Sequence, residues 1–313
     1  MDKQKLRSTL EVFTKWIAYM NKWFIDGTNG VGSLGFEEYR NMVERNNWGE
    51  ITDYNILIEE VWNSTTVDRT FPNKPKAVTI LRNPVEQFES VFYYMDLREF
   101  YNVSTFKELV SQISSNTVRN DHLDNVHGRN QLLRNLGFNP NKDRSLRDFI
   151  SELNATFDLV MIAEHFEESV VQLRNLIGVP LEYMTYLPQN TRHKEAVYKI
   201  SKTERKVLEN WLKLDMEAYK AFKWDLMRKI TADDKIQRQK LRNLNKHLRD
   251  KCKISEGRQK RNFTNFRFGV LDVKFLYNKE RNIFCDHFAD PGRNKFQQIQ
   301  RSHSEALRHF RWD

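Results

Sequence analysis

An arginine and a serine eight positions apart, Arg82 and Ser90, have the residue types of a phosphate site. A guanidinium group donates paired N–H groups to phosphate oxygens, and a serine hydroxyl adds a further hydrogen bond. Arg82 follows an apolar, strand-like run, and Asn83 with Pro84 predicts that a capped helix begins directly after it. A helix N-terminus attracts anions through its backbone N–H groups and its dipole. The sequence therefore predicts an anion site at this strand–helix junction.

The helical period predicts which side of this helix carries Ser90. Ser90 follows Asn83 by seven positions, about two helical turns, and so returns to the side of Arg82. It also lies about 140° around the helix from Val85, which begins the apolar stripe. An arginine and a serine at this spacing are common in proteins, so the spacing alone does not separate a ligand site from an ordinary pair.

Other residues whose side chains could bind a ligand or take part in a reaction form no recognisable site. The glycine-rich stretch at 26–35 lacks the Lys-Ser/Thr of a phosphate-binding loop, and we interpret it as a turn. The histidines show no metal-ligand spacing with one another or with acidic residues, which predicts that no metal is bound: His122, His127, His165 and His193. The two cysteines, Cys252 and Cys285, are too few for a disulfide framework or a cysteine-rich zinc site.

The positive charge is concentrated in one segment of a chain whose composition is otherwise that of a folded globular protein. Apolar residues make up 39% and charged residues 30%, and the formal net charge is +9. Residues 228–261 hold thirteen Lys/Arg against four acids, which accounts for the whole excess. Two interpretations stay open: a solvated helix face, or a surface for a polyanion such as nucleic acid, an anionic membrane or an acidic glycan.

Two strand–helix units are predicted in the first part of the chain. Residues 76–81 form a short buried-strand pattern before the helix that begins at Pro84. Residues 157–163 repeat the pattern, followed by a helix over 164–176 that Gly178 closes. Units of this kind indicate an α/β fold, in which a parallel sheet is flanked by helices.

The character of the sequence changes at residue 201. Ser201 and Glu204 form a capping box, and helical periodicity continues from there, with interruptions, to about residue 250. The last sixty residues give no clear period. We therefore predict an α/β core over residues 1–200 and a helical, basic C-terminal extension over 201–313, packed on the same domain.

Four segments resemble one known family in the right order along the chain. They are Thr79–Phe92, Arg129–Asn130 with Leu136–Phe138, Phe157–Val171 and Leu307–Trp312. Thr79–Phe92 resembles the 3′-phosphate-binding segment of Golgi carbohydrate sulfotransferases, and most of all that of the galactose-3-O-sulfotransferase (galactosylceramide sulfotransferase) family. The Thr79–Phe92 and Phe157–Val171 segments carry most of the resemblance.

The resemblance implies a function and a location. Members transfer a sulfuryl group from 3′-phosphoadenosine 5′-phosphosulfate to the 3-hydroxyl of a terminal galactose on a glycolipid or glycoprotein, without a metal. By analogy, Arg82 and Ser90 would bind the donor's 3′-phosphate, on a P-loop-like parallel sheet. Members are type II Golgi membrane proteins with a lumenal catalytic domain, so the expected location is the lumenal side of the Golgi membrane.

The N-terminal part departs from the family pattern. The family's 5′-phosphosulfate loop, rich in Lys, His, Ser and Thr, follows a first strand that we do not find here. Ser8 and Thr9 are interpreted either as the end of that loop, contacting the 5′-phosphate, or as an ordinary helix N-cap. The strand, most of the loop and the membrane anchor are expected to be missing from this chain. We therefore assign no catalytic residue and expect the isolated chain to sulfate no galactoside.

A nucleic-acid-binding module built on residues 228–261 is the rival function. Single-stranded nucleic acid is bound by basic grooves interleaved with aromatic side chains. Here the aromatic residues only follow the basic segment, at Phe263, Phe266 and Phe268. We therefore expect no nucleic-acid partner.

Overall fold

The structure is a computed structural model that describes residues 75–118, 128–138, 145–186, 191–192, 195, 197–261 and 271–278. The strands are β1 (Val78–Leu81), β2 (Leu159–Ile162), β3 (Thr191–Arg192), β4 (Ile254–Arg261) and β5 (Leu271–Asn278). The helices are α1 (Pro84–Tyr94), α2 (Arg98–Tyr101), α3 (Phe106–Ser114), α4 (Gln131–Asn135), α5 (Leu146–Thr156), α6 (Phe166–Ile177), α7 (Lys202–Trp211), α8 (Lys213–Lys229) and α9 (Ala232–Lys251). Short 3₁₀ turns lie at Ala163–His165 and Leu181–Met184.

The two predicted strand–helix units come together through a parallel pair of strands. β1 pairs with β2 in a register that runs from Val78 opposite Leu159 to Leu81 opposite Ile162. The described residues are mostly helical around this two-stranded sheet, which agrees with an α/β sulfotransferase-like fold. A larger, P-loop-like sheet stays a prediction.

The first helix begins as its sequence predicts. The Asn83 side chain accepts a hydrogen bond from the Val85 backbone N–H at 3.0 Å, and Pro84 occupies the first helical position. The apolar stripe that begins at Val85 is buried, with Phe88 and Phe92 also in the core. Met95 lies at the C-cap and is half-buried.

In the second strand–helix unit, a serine links the helix to the strand and a glycine ends the helix. The Ser169 hydroxyl on α6 accepts a hydrogen bond from the Ile162 backbone N–H at 2.9 Å, which ties the helix to the end of β2. Gly178 ends α6 in the left-handed region, at φ +71°, and its N–H donates to the Arg174 carbonyl at 2.9 Å. A glycine adopts this conformation without steric cost.

The described residues form two apolar cores. One surrounds the β1–β2 pair and includes Met161, Phe222 and Leu226. The other is aromatic, with the Phe88 and Trp211 ring centroids 4.9 Å apart. Since α8 packs on β2 and α7 packs on α1 and α3, the C-terminal helices complete both cores.

The helical pattern that begins at Ser201 is divided into three helices. The predicted capping box of Ser201 and Glu204 is confirmed. The first interruption is at Leu212, which is buried at φ −96°, ψ 26°. A second capping box, formed by Thr231 and Asp234, begins α9 and was not recognised in the sequence.

The prediction of a helical C-terminal extension is wrong beyond Lys251. β4 and β5 pair antiparallel, from Ile254 opposite Asn278 to Arg261 opposite Leu271, and β3 adds to the other edge of β5. β5 alternates apolar and charged residues at 271–275, a pattern typical of strands. β4 is mostly polar and has no such alternation, so its strand form depends on pairing with β5.

Candidate functional site

Arg82 lies where the sequence analysis places it, between the carboxyl end of β1 and the N-terminus of α1. Arg82 is buried, with only 6% of its surface exposed. Burial of an arginine is rare, because a guanidinium group leaves water only where other polar or charged groups surround it. In parallel sheets, ligands bind outside the carboxyl ends of the strands. The position and burial of Arg82 are therefore those expected of a group that binds an anion at this edge.

Ser90 lies on α1 and is 1% exposed. Its hydroxyl oxygen is buried and has no hydrogen-bond partner among the described residues. A buried polar group left without a hydrogen bond costs about 1–3 kcal/mol. Such a cost is tolerated at binding sites, where a ligand supplies the missing partner. That this hydroxyl binds a phosphate together with Arg82 stays a prediction.

Gln87 is a candidate site residue that sequence reasoning missed. It lies three positions before Ser90, so the two side chains share one face of α1, and it is 3% exposed. Its Oε1 is buried without a hydrogen-bond partner in the described part of the chain. Its Nε2 reaches Gln131 Oε1 at 3.5 Å. In the sequence Gln87 lies between Glu86 and Phe88, and no local pattern marks it as buried.

The segment with Arg129 and Asn130 begins α4 and faces α7 and α8. Arg129 Nε donates to the Trp211 carbonyl at 2.8 Å. Asn130 is in the left-handed region at φ 57°, and its Oδ1 is buried without a hydrogen bond within the described residues. Asp215 on α8 accepts hydrogen bonds from the backbone N–H groups of Leu132 and Leu133, both at 3.0 Å. Arg129 and Asp215 thus fix the position of this turn against the helices.

Glu164 connects the carboxyl ends of the two parallel strands. Its Oε1 accepts a hydrogen bond from the Asn83 backbone N–H at 3.0 Å, and its Oε2 accepts one from the Tyr219 hydroxyl at 2.9 Å. Burial, followed by the negative charge of Glu164, raises the pKa of Tyr219 well above its ordinary value. The hydroxyl therefore stays protonated at neutral pH and remains a donor.

The sequence profile of the galactose-3-O-sulfotransferase family matches residues 39–273. The chain belongs to this family. The family resemblance is thereby confirmed, and three of the four segments lie within the match, whereas Leu307–Trp312 lies beyond it.

Curated galactose-3-O-sulfotransferases are similar to this chain over part of their length. Galactose-3-O-sulfotransferase 2 of Homo sapiens is 30% identical over 227 residues, which are 68% of this chain and 56% of that protein. Galactosylceramide sulfotransferase of Mus musculus is 29% identical over 186 residues, 56% of this chain and 44% of that protein. The chain thus spans about half the length of the curated relatives it matches.

The galactose-3-O-sulfotransferase match contains every described site residue. Arg82, Gln87, Ser90 and Glu164 all lie between residues 39 and 273. Ser8 and Thr9, predicted to contact the 5′-phosphate, lie outside the described residues, so their role stays a prediction. Within the described part of the chain, no group of three or more His, Cys, Asp or Glu is arranged to hold a metal ion. In the same part, no helix has the length and hydropathy needed to span a membrane.

The basic segment of this sulfotransferase-family chain is partly neutralised by salt bridges. Arg242 on α9 pairs with Glu167 on α6 at 2.5 Å, and Arg238 pairs with the adjacent Glu168. At the end of α8, Arg228 and Lys229 both pair with Asp225, at 2.7 and 2.5 Å. Of the thirteen basic residues, at least four therefore serve internal contacts, and the field available to an outside polyanion is reduced.

Proposed function

We propose that this protein is a galactose 3-O-sulfotransferase, using 3′-phosphoadenosine 5′-phosphosulfate as donor and a terminal galactose on a glycolipid or glycan as acceptor. The observation that carries the proposal is the buried Arg82 with the buried hydroxyl of Ser90, at a strand–helix junction of a chain from this family. A phosphate monoester carries close to two negative charges and fits an arginine, a hydroxyl and a helix N-terminus.

The proposed reaction is a sulfuryl transfer between two oxygen atoms. The galactose 3-oxygen forms a bond to sulfur, while the bond between sulfur and the bridging oxygen of the donor breaks. A general base accepts the proton of the acceptor hydroxyl, and adenosine 3′,5′-bisphosphate leaves with the negative charge. As in phosphoryl transfer, most of the catalysis comes from positioning and electrostatic stabilisation. The residues Arg82 and Ser90 contribute binding and orientation of the donor, away from the reacting bond.

The proposed location is the lumenal side of the Golgi membrane, as the family resemblance implies. Cys252 is buried and disulfide-bonded. Disulfide bonds persist in oxidising compartments and are rare in the cytosol, so this bond supports a lumenal protein.

Binding of adenosine 3′,5′-bisphosphate by calorimetry tests the donor site. We expect Arg82→Ala to weaken binding by about 2–3 kcal/mol, since it removes a charge-assisted pair of hydrogen bonds. Adenosine 5′-monophosphate, which lacks the 3′-phosphate, should bind both proteins equally. Arg147→Ala, an exposed arginine on α5, is the matched control. Unchanged affinity for the bisphosphate in Arg82→Ala would remove the basis of the proposal.

Transfer of labelled sulfate to galactosylceramide or a galactose-terminated glycan tests the reaction itself.

A further inference from the structure

The N-terminus of α1 contains a backbone N–H group that its own helix does not satisfy. In a capping box, the glutamate at the third helical position accepts a hydrogen bond from the N–H of the N-cap residue. Glu204 does so for Ser201 at the start of α7, at 2.7 Å. In α1 the third position is Glu86, which instead forms a salt bridge with Arg205 of α7. The N–H of Asn83 therefore needs another acceptor.

Glu164 provides that acceptor from the 3₁₀ turn that follows β2. It follows β2 by two positions, and its carboxylate lies 3.0 Å from the Asn83 nitrogen. The second oxygen is held by the Tyr219 hydroxyl at 2.9 Å, and Tyr219 is only 3% exposed on α8. Two donors from two different elements thus fix the carboxylate, and through it the peptide bond that joins Arg82 to Asn83.

We propose that Glu164 is a positioning residue for the donor site: it holds the Arg82–Asn83 turn so that the Arg82 side chain meets the donor's 3′-phosphate. This inference rests on the proposed function. The hydrogen bond from Asn83 fixes the plane of the Arg82–Asn83 peptide and with it the direction in which the Arg82 side chain leaves the backbone. Charge-assisted, forked hydrogen bonds depend on that direction, and small displacements of a positioned group cost much of its effect.

The expected effect is selective for ligands that carry a 3′-phosphate. We expect Glu164→Ala to lower the affinity for adenosine 3′,5′-bisphosphate about 10-fold and to leave that for adenosine 5′-monophosphate within about twofold. Glu164→Gln keeps an acceptor for the Asn83 N–H, so it should restore the affinity to within about threefold of the unmodified protein. Glu182→Ala, an exposed glutamate in the second 3₁₀ turn, is the matched control.

A double-mutant cycle separates positioning from an independent contact. Since Glu164 acts through Arg82, the Arg82→Ala/Glu164→Ala double variant should bind the bisphosphate no more weakly than Arg82→Ala alone. Additive losses would overturn the inference. So would an equal loss for both nucleotides in Glu164→Ala, no loss for either, or a Glu164→Gln variant as weak as Glu164→Ala.

The measurements also separate this inference from the proposed function. If Arg82→Ala leaves bisphosphate binding unchanged, the proposed function fails. If Arg82→Ala weakens binding and Glu164→Ala does not, only the role of Glu164 fails. Should Glu164→Ala not fold, Tyr219→Phe removes one anchor of the same carboxylate and should lower bisphosphate affinity about threefold. Unchanged affinity in that variant would count against the inference.

Discussion

Asp215 caps a helix whose first residues lie 83 positions earlier in the chain: its Oδ2 accepts a hydrogen bond from the Leu132 backbone N–H at 3.0 Å. The N-cap residue of α4, Asn130, makes no capping hydrogen bond with its own side chain. Asp215 is 2% exposed, so a buried carboxylate from α8 replaces the local cap. The turn that carries Arg129 and Asn130 is thereby fixed to the C-terminal helices.

Replacement of Asp215 should destabilise the fold. Asp215→Ala leaves the Leu132 and Leu133 N–H groups without their acceptor, and we expect a loss of about 2–4 kcal/mol in the free energy of unfolding. Asp215→Asn keeps one carbonyl acceptor and should lose about half as much. Urea unfolding measures both, and Asp233→Ala, exposed in the first turn of α9, should cost less than about 1 kcal/mol. Equal losses in Asp215→Ala and Asp233→Ala would contradict this role.

Ser90 and Ser169 are both buried serines but should respond in opposite ways to alanine. The Ser90 hydroxyl has no partner in the described part of the chain, so Ser90→Ala should leave the free energy of unfolding unchanged or raise it by about 1 kcal/mol. Ser169 accepts from the Ile162 N–H at 2.9 Å, so Ser169→Ala should lower it by about 1–3 kcal/mol.

Ligand binding should show the opposite pattern: Ser90→Ala should weaken it, and Ser169→Ala should not. Ser90→Ala should weaken adenosine 3′,5′-bisphosphate binding by about 1–2 kcal/mol, because the hydroxyl is proposed to contact the 3′-phosphate. Ser169→Ala, at a temperature where it is folded, should bind normally. A destabilised Ser90→Ala variant with unchanged affinity would mean that this hydroxyl serves the fold and not the ligand.

The capping box of α7 should weaken in acid. Burial alone would raise the pKa of Glu204, but hydrogen bonds from the Tyr198 hydroxyl and from Ser201 outweigh it and lower the pKa below its ordinary value of 4.5. A depressed pKa in the folded state stabilises above the unfolded-state pKa, and this contribution is lost as the pH falls through the folded-state value.

Urea unfolding at several pH values checks this. Glu204→Gln should cost about 1 kcal/mol at pH 7, and the difference from the unmodified protein should shrink as the pH falls below about 4.5. A difference that stays constant with pH would show that the charge of Glu204 does not contribute.

The basic segment at 228–261 should not bind nucleic acid tightly at physiological salt. Several of its basic side chains form salt bridges with Glu167, Glu168 and Asp225. We expect titration with RNA at 150 mM salt to give no saturable binding below about 10 μM. Submicromolar binding with a steep salt dependence would instead favour the nucleic-acid function.

Local signals in the sequence predicted local structure well. Asn83 with Pro84 predicted the start of α1, and Ser201 with Glu204 predicted the start of α7, because the interactions that form a helix cap lie within four residues. The same locality placed Arg82 at the strand–helix junction.

The contacts that escaped prediction join residues far apart in the chain. Glu164 with Asn83, and Asp215 with Leu132, are more than 80 positions apart, and no periodicity marks such pairs. The break at Leu212 also has no glycine or proline to announce it. β4 was missed because its polar sequence becomes a strand only through its partner.

The pairing of β1 with β2 has a consequence for how the protein folds. Leu81 and Ile162 are neighbours in the sheet, although helices α1 to α5 lie between them in the chain. Closing so long a loop costs conformational entropy, and no strand contact offsets this cost until the two strands meet. We therefore expect these helices to form first and the sheet late. During synthesis, β1 leaves the ribosome many residues before its partner exists. The carboxyl edge of the sheet, where Arg82 lies, is therefore among the last parts of this fold to be assembled.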